Sequence, residues 1–366
     1  MATSGKMGKM GKMGKMGKMG KMGKMGADDD PPHAGGPSST LMNDALVSTR
    51  DGVVGYWDGA PGYTPAFPFS DKPDDILYLQ YDIRGRLLDH ALHSSVAVHG
   101  TSAEARDNGS AVLGAAEFHG SGNHILTIHQ PPQAHFETQL KYLRTYADLR
   151  ADRLSEINIQ LGDGMSFYGS LGYLDPQRRA RTTDLLDAVE RLAVFVEMQV
   201  KHMCRSPRPI DYAIEVQPMI QTPDHSAFPS GHSTESFAVA TVMHRLMNKT
   251  SAHAGVQKQA HPFRIAERMA VNRTVAGVHF PCDSAAGALL GCAIGEHVYA
   301  LAMGRKLKRM PNDFLAESNN ATFQDHEDFS LDWLKTVTAE PQDEPLGSIG
   351  RTIISTAWTL AEDEWP

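Results

Sequence analysis

Lys201-His-Met-Cys-Arg-Ser-Pro-Arg208-Pro209, Pro229-Ser230-Gly231-His232 and Arg273-Thr-Val-Ala-Gly-Val-His279-Phe-Pro-Cys-Asp283 are the stretches on which the reading of this chain turns. In order they spell K-x6-R-P, P-S-G-H and R-x5-H-x3-D. Taken singly, each has an ordinary structural explanation: solvated charges after a helix, a capped helix with a surface histidine, a structural His–Asp pair. Together they collect three cations, a hydroxyl, backbone donors and two imidazoles. That is a donor set for one tetrahedral oxyanion.

The local pattern supports the grouping. Leu185, Val189, Leu192, Val196, Val200 and Met203 recur at helical spacing from near Thr183, with Lys201 off that stripe beside Val194 and Met198. Pro207 and Pro209 end the helix and hold Arg208 on a stiff, extended exit. Ser230 is a natural N-cap for the helix carried by Phe237, Val242, Met243 and Leu246, and Gly231 lets the backbone approach a ligand. A third helix runs through Ile265, Met269 and Arg273 to a turn at Gly277. Pro281 suits the first turn of the next helix, which puts Asp283 within a turn of His279. An Asp accepting the ring N–H would fix the tautomer and leave the other nitrogen as nucleophile or ligand. Met198 and Phe228 read as packing residues.

Working outward, Phe136, Leu140, Leu143, Ala147, Leu154 and Ile157 repeat at helical spacing, and Ile125-Leu126-Thr127-Ile128 before Pro131-Pro132 reads as a strand. The fold class is mainly α, an antiparallel helical bundle with few short strands. Residues 40–366 read as a single helical domain, with the oxyanion site in 195–290. Residues 1–39 read as disordered: seven Gly-Lys-Met triplets from Gly5 to Met25, then an Asp-, Pro- and Gly-rich linker. A net charge of −8 argues against nucleic acid as a partner. Three cysteines, Cys204, Cys282 and Cys292, fit neither a disulfide framework nor zinc spacing and read as buried thiols.

No window holds the roughly 18 uninterrupted apolar residues of a membrane span. The nearest candidate, from Ser284 onward, is stopped by Glu296 and His297, and its Gly287, Gly291 and Gly295 mark close helix packing. With no apolar leader either, the expected location is cytoplasmic, without a membrane partner. The sequons at Asn108, Asn248, Asn272 and Asn320 then carry little meaning. The acidic, Pro-containing segment after Glu340 reads as a surface arm that would cover a neighbour in a homo-oligomer.

The ordered triple resembles the superfamily of type-2 phosphatidic acid phosphatases and vanadium-dependent haloperoxidases. One departure is Asn272, where serine usually precedes the arginine. The resemblance implies that Lys201, Arg208 and Arg273 neutralise the equatorial oxygens of phosphate or vanadate, with Ser230 and the Gly231 N–H completing the cradle. It implies His232 as general acid and base, and His279, oriented by Asp283, as phosphoryl-accepting nucleophile or axial vanadate ligand.

Choosing between the chemistries falls to residues outside the triple. The helical segments flanking it look like those of bacterial haloperoxidases, and His225 stands where bromoperoxidases carry His and chloroperoxidases carry Phe. The expectation is therefore a vanadium-dependent haloperoxidase with vanadate as cofactor, oxidising bromide or iodide with hydrogen peroxide, and His225 as an added catalytic residue. The alternative is a metal-free acid phosphatase acting on a phosphate ester through phospho-His279. A phosphate-binding module without catalysis is the third reading.

Overall fold

Why the three clusters meet follows from the order and direction of four helices. A computed structural model describes residues 40–62, 75–101, 114–175, 177–315, 322–347 and 352–366. The Gly-Lys-Met repeat, Asn108 and Asn320 lie outside them. The described residues fall in two units. In the first, helix α1 (Thr40–Val54) leads to an irregular segment through Gly62, and the side chains of residues 43–54 are exposed.

The second unit holds the remaining described residues. Helix α2 (Tyr81–His93) precedes an antiparallel sheet of β1 (Val96–Thr101), β2 (Ala115–Gly120) and β3 (Asn123–His129), in the order β1-β2-β3. Val98, Ala116, Phe118, Leu126 and Ile128 are buried on this sheet. The expected strand around Ile125 is thus β3. Helices α3 (Gln133–Tyr146) and α4 (Arg150–Gln160) follow, with a single 3-10 turn splitting what the spacing suggests is one helix. After α5 (Met165–Gly172) come α6 (Ala180–Cys204) and the short α7 (Pro209–Tyr212). Next are α8 (Gly231–Asn248), α9 (Ala252–Gln257), α10 (His261–Val275) and α11 (Pro281–Ala302). A small hairpin of β4 (Arg305–Leu307) and β5 (Asp343–Pro345) encloses α12 (Leu331–Val337) in sequence, and α13 (Ile353–Glu362) ends the chain. The mainly helical expectation holds.

Helix α8 is the centre of the bundle, packed by α6, α10 and α11. Its contact with α11 is the closest because Gly287, Gly291 and Gly295 face it. A Cβ on Gly287 would lie 2.6 Å from Ser230 O, and one on Gly295 would lie 2.5 Å from Thr241 Cβ. Both distances are below any van der Waals separation, so the backbones approach only because these side chains are absent. Helix α11 is also, among the described residues, long and apolar enough to cross a membrane, which the sequence reading did not allow. Its most apolar window is 94% buried inside the protein, as expected of a core helix. The three cysteines are buried and free.

Successive helices run in alternating directions, so the C-terminal ends of α6 and α10 and the N-terminal ends of α8 and α11 gather at one end of the bundle. Overpacking the α8–α11 contact should therefore cost stability before it touches chemistry. Gly291→Val is expected to lower the unfolding free energy by about 3 kcal/mol in urea denaturation. A loss under about 0.5 kcal/mol would contradict this packing.

Candidate active site

Each expected site residue sits at that common end. Lys201 lies in the last turn of α6, 1% exposed, and its Nζ donates to the carbonyls of Ser226 (3.2 Å), Ala227 (3.4 Å) and Pro229 (2.5 Å). The loop before α8 is thus wrapped onto an ammonium group. Burial draws the Lys201 pKa down to about 8, opposed by the carboxylate of Glu197 one helical turn earlier.

Arg208 holds the same loop from the other side. Its N–H donates to Asp211 Oδ2 (2.7 Å), closing the start of α7, and its guanidinium reaches His225 O (3.0 Å from Nη2), Val278 O (2.9 Å) and His279 Nε2 (3.1 Å). Nη2 also meets His225 Nδ1 at 3.2 Å. Burial, then the charges of Lys201 and Arg208, push the His225 pKa down to about 4, so the ring is neutral and accepts from the guanidinium.

Ser230 takes the N-cap position of α8 but does not cap it. Its side chain makes no capping bond, and its Oγ is buried with no hydrogen-bond partner among the described residues. The sequence reading of Ser230 as a helix cap is therefore right about place and wrong about the hydroxyl. Gly231 has a second reason to be glycine. A Cβ there would lie 2.5 Å from Glu197 Oε1, so the start of α8 rests against a buried carboxylate. At this end the first N–H groups have no carbonyl within the helix to bind, which leaves them to an anion.

Arg273, at the end of α10, is fully buried. Its Nη2 donates to Gln160 Oε1 at 2.7 Å, while Nε and Nη1 have no acceptor among the described residues. Burial lowers its pKa to about 10, which leaves the guanidinium charged. Leaving such donors unbonded in a protein interior costs on the order of 1–3 kcal/mol each, a cost expected where a ligand completes them. Gln160, from the end of α4, also accepts from Asn272 Nδ2 (3.1 Å), and its carbonyl accepts from His232 Nε2 (3.1 Å). Asn272, the departure from the usual serine, spends its amide on α4, bonding Glu156 as well at 3.0 Å. It is fully buried, so its sequon cannot carry a glycan.

His279 and Asp283 form the predicted pair, with Nδ1 to Oδ2 at 3.1 Å across the first turn of α11. The same oxygen accepts the Phe280 N–H at 2.9 Å, and the Asp283 carbonyl accepts the Ser230 N–H at 2.8 Å. Burial, then Arg208 and Lys201, push the His279 pKa well below its ordinary value, so its imidazole is neutral. Burial also raises Asp283, against the pull of the Phe280 N–H and the two cations.

Sequence reasoning missed Gln160, Glu197 and Glu235. A lone glutamine at a helix end gives no signal. Glu197 and Glu235, both 4% exposed, are visible only as charges that fall on buried helix faces once the bundle is formed. A cavity of about 790 Å³ adjoins the site, with Met198, Lys201, Arg208, Asp224 and His225 in its walls. Met198 thus borders open space rather than packing inward, whereas Phe228 packs on Phe314.

Residues 188–306 match the PAP2 superfamily. The decaprenylphosphoryl-5-phosphoribose phosphatase of Mycobacterium tuberculosis is 31% identical over 139 residues, covering 38% of this chain and 72% of the relative; strains CDC 1551 and H37Rv give the same figures. This named relative is a phosphatase, which overturns the expectation of a vanadium-dependent haloperoxidase oxidising bromide or iodide with hydrogen peroxide. The physical reason lies partly at His225, on which that expectation leaned. Its Nδ1 lies 3.2 Å from Arg208 Nη2 and 3.2 Å from Ser226 O, so the ring is part of the hydrogen-bonded loop around Arg208.

Two measurements check this geometry. In an NMR titration of the free protein, the His279 ring is expected to stay neutral at pH 6, with its midpoint well below 6.5; a midpoint at or above that value would contradict the buried, cation-flanked setting. His225→Ala should loosen Arg208 and raise KM about tenfold with kcat less affected, whereas equal loss in kcat would make His225 part of the chemical step.

Proposed function

The chain belongs to the PAP2 superfamily, and from that membership we propose that it is a phosphatase that hydrolyses a phosphate monoester through a phosphohistidine at His279. The observation that carries this reading is the set of buried donors with no acceptor among the described residues, Ser230 Oγ and Arg273 Nε and Nη1, at the end of the bundle where His279 is neutral.

In this mechanism Lys201, Arg208 and Arg273 take the negative charge of the phosphoryl oxygens, with Ser230 Oγ and the first N–H groups of α8 as further donors. Fixed donors in a dry site stabilise a five-coordinate phosphorus without reorganising. His279 Nε2 attacks phosphorus in line as the bond to the ester oxygen breaks. His232, whose Nε2 proton rests on Gln160 O, delivers a proton to that oxygen and releases the alcohol. The imidazolium formed at His279 is balanced by Asp283 through its Nδ1 proton. Water then attacks phosphorus, His232 takes its proton, the P–N bond breaks, and phosphate leaves. All steps use side chains of the chain itself, and vanadate enters only as a phosphate mimic that occupies the same donors.

The cavity beside Lys201 and Arg208 is far larger than a phosphate group and gives room for the alcohol portion of the ester. The expected outcome with p-nitrophenyl phosphate is turnover without added cofactor, inhibited by orthovanadate, with Arg273→Ala lowering kcat/KM on the order of a hundredfold or more. Absence of phosphate release from any monoester tested, or an unchanged rate in the Arg273 variant, would overturn the proposal.

A further inference from the structure

The end of α4 holds a donor that the catalytic scheme does not use. Gln160, the last residue of that helix, is 1% exposed, and its Nε2 has no hydrogen-bond partner among the described residues. We propose that Gln160 Nε2 is a further phosphate-binding group, donating to a phosphoryl oxygen beside Arg273. The proposal rests on the phosphatase reading of the site and adds to it a residue from outside the matched span 188–306.

Charged neighbours fix which end of the amide is the donor. Arg153 can only donate, and its Nη1 reaches Asn272 Oδ1 at 3.1 Å. The Asn272 amide nitrogen therefore points the other way, to Glu156 Oε2 (3.0 Å) and Gln160 Oε1 (3.1 Å). Arg273 Nη2 donates to that same Oε1 at 2.7 Å. Turning the Gln160 amide over would set its nitrogen against two donors, so Oε1 is held in place and Nε2 is left with both N–H groups. A buried donor in that state destabilises the folded chain unless a ligand completes it. Arg273 Nε and Nη1 and Ser230 Oγ are in the same state. A phosphoryl group, with several oxygens around one phosphorus, can serve all of these donors at once. The main chain ties Gln160 to the same place, since its carbonyl accepts from His232 Nε2 at 3.1 Å. The carbonyl end of a helix repels an anion, so the side-chain amide is what lets α4 end against one.

The test measures orthovanadate binding to the full chain by calorimetry, with thermal unfolding to check each variant. Gln160→Glu keeps an acceptor for Asn272 and Arg273 but replaces the donor by an oxygen, so affinity should fall on the order of a hundredfold. Gln160→Met removes both functions and is expected to bind about tenfold more weakly than the wild type. Were Gln160 only a prop for Arg273 through Oε1, the order would reverse, with the glutamate variant binding like the wild type and the methionine variant weakest. A crystal structure of the wild-type protein with orthovanadate needs no variant to fold, and should place Gln160 Nε2 within about 3.2 Å of a vanadate oxygen. Binding by Gln160→Glu within about threefold of wild type, or Nε2 turned away from the oxyanion in the crystal, would overturn the proposal. The phosphatase reading fails separately, by absent turnover of p-nitrophenyl phosphate in a protein that still binds orthovanadate.

Discussion

The backbone contact between α8 and α11 is the constraint from which the site follows. Gly287, Gly291 and Gly295 let the two helices touch along their backbones, and at the end of that contact the Ser230 N–H donates to the Asp283 carbonyl at 2.8 Å. That bond sets two helix N-termini side by side. One carries Ser230, Gly231 and His232, and the other follows His279 and carries Asp283. Both ends present partial positive charge, and a single anion can use both.

Concentrating Lys201, Arg208 and Arg273 beside these ends has a cost, because buried cations repel and lose their hydration. The fold answers it in three ways. Loop carbonyls wrap Lys201 and Arg208, Gln160 holds one edge of Arg273, and Glu197, Glu235 and Asp283 supply opposite charge from nearby. Glu197 is the least intuitive of these, since a carboxylate against the first residue of α8 opposes anion binding there. Its place one turn from Lys201 gives the ammonium a counter-charge, which keeps it protonated despite burial. The residues expected to bind phosphate are therefore held by contacts that do not depend on it.

Much of this was legible in the sequence because the decisive groups lie close in the chain. His279 and Asp283 are four residues apart at a helix start, and Pro207 and Pro209 announce where α6 ends. The strand at Ile125 and the packing role of the α11 glycines were equally readable. The supporting shell was not. Gln160 meets Arg273 across 113 residues and carries no local pattern, and nothing in the composition around Ser230 tells a capping hydroxyl from one left for a ligand. The choice of chemistry was misread for a related reason. In the sequence His225 reads as a lone imidazole near the site, and only the fold shows its Nδ1 set between Arg208 Nη2 and Ser226 O.

The central claim is a covalent bond between phosphorus and His279, and trapping it is the most direct test. A radiolabelled phosphate monoester mixed rapidly with the protein and quenched in base should leave label that is stable to base, labile to acid and confined to the peptide holding His279. The same experiment on His279→Gln should leave none. Steady phosphate release with no labelled His279 peptide, or with label on another residue, would contradict the account.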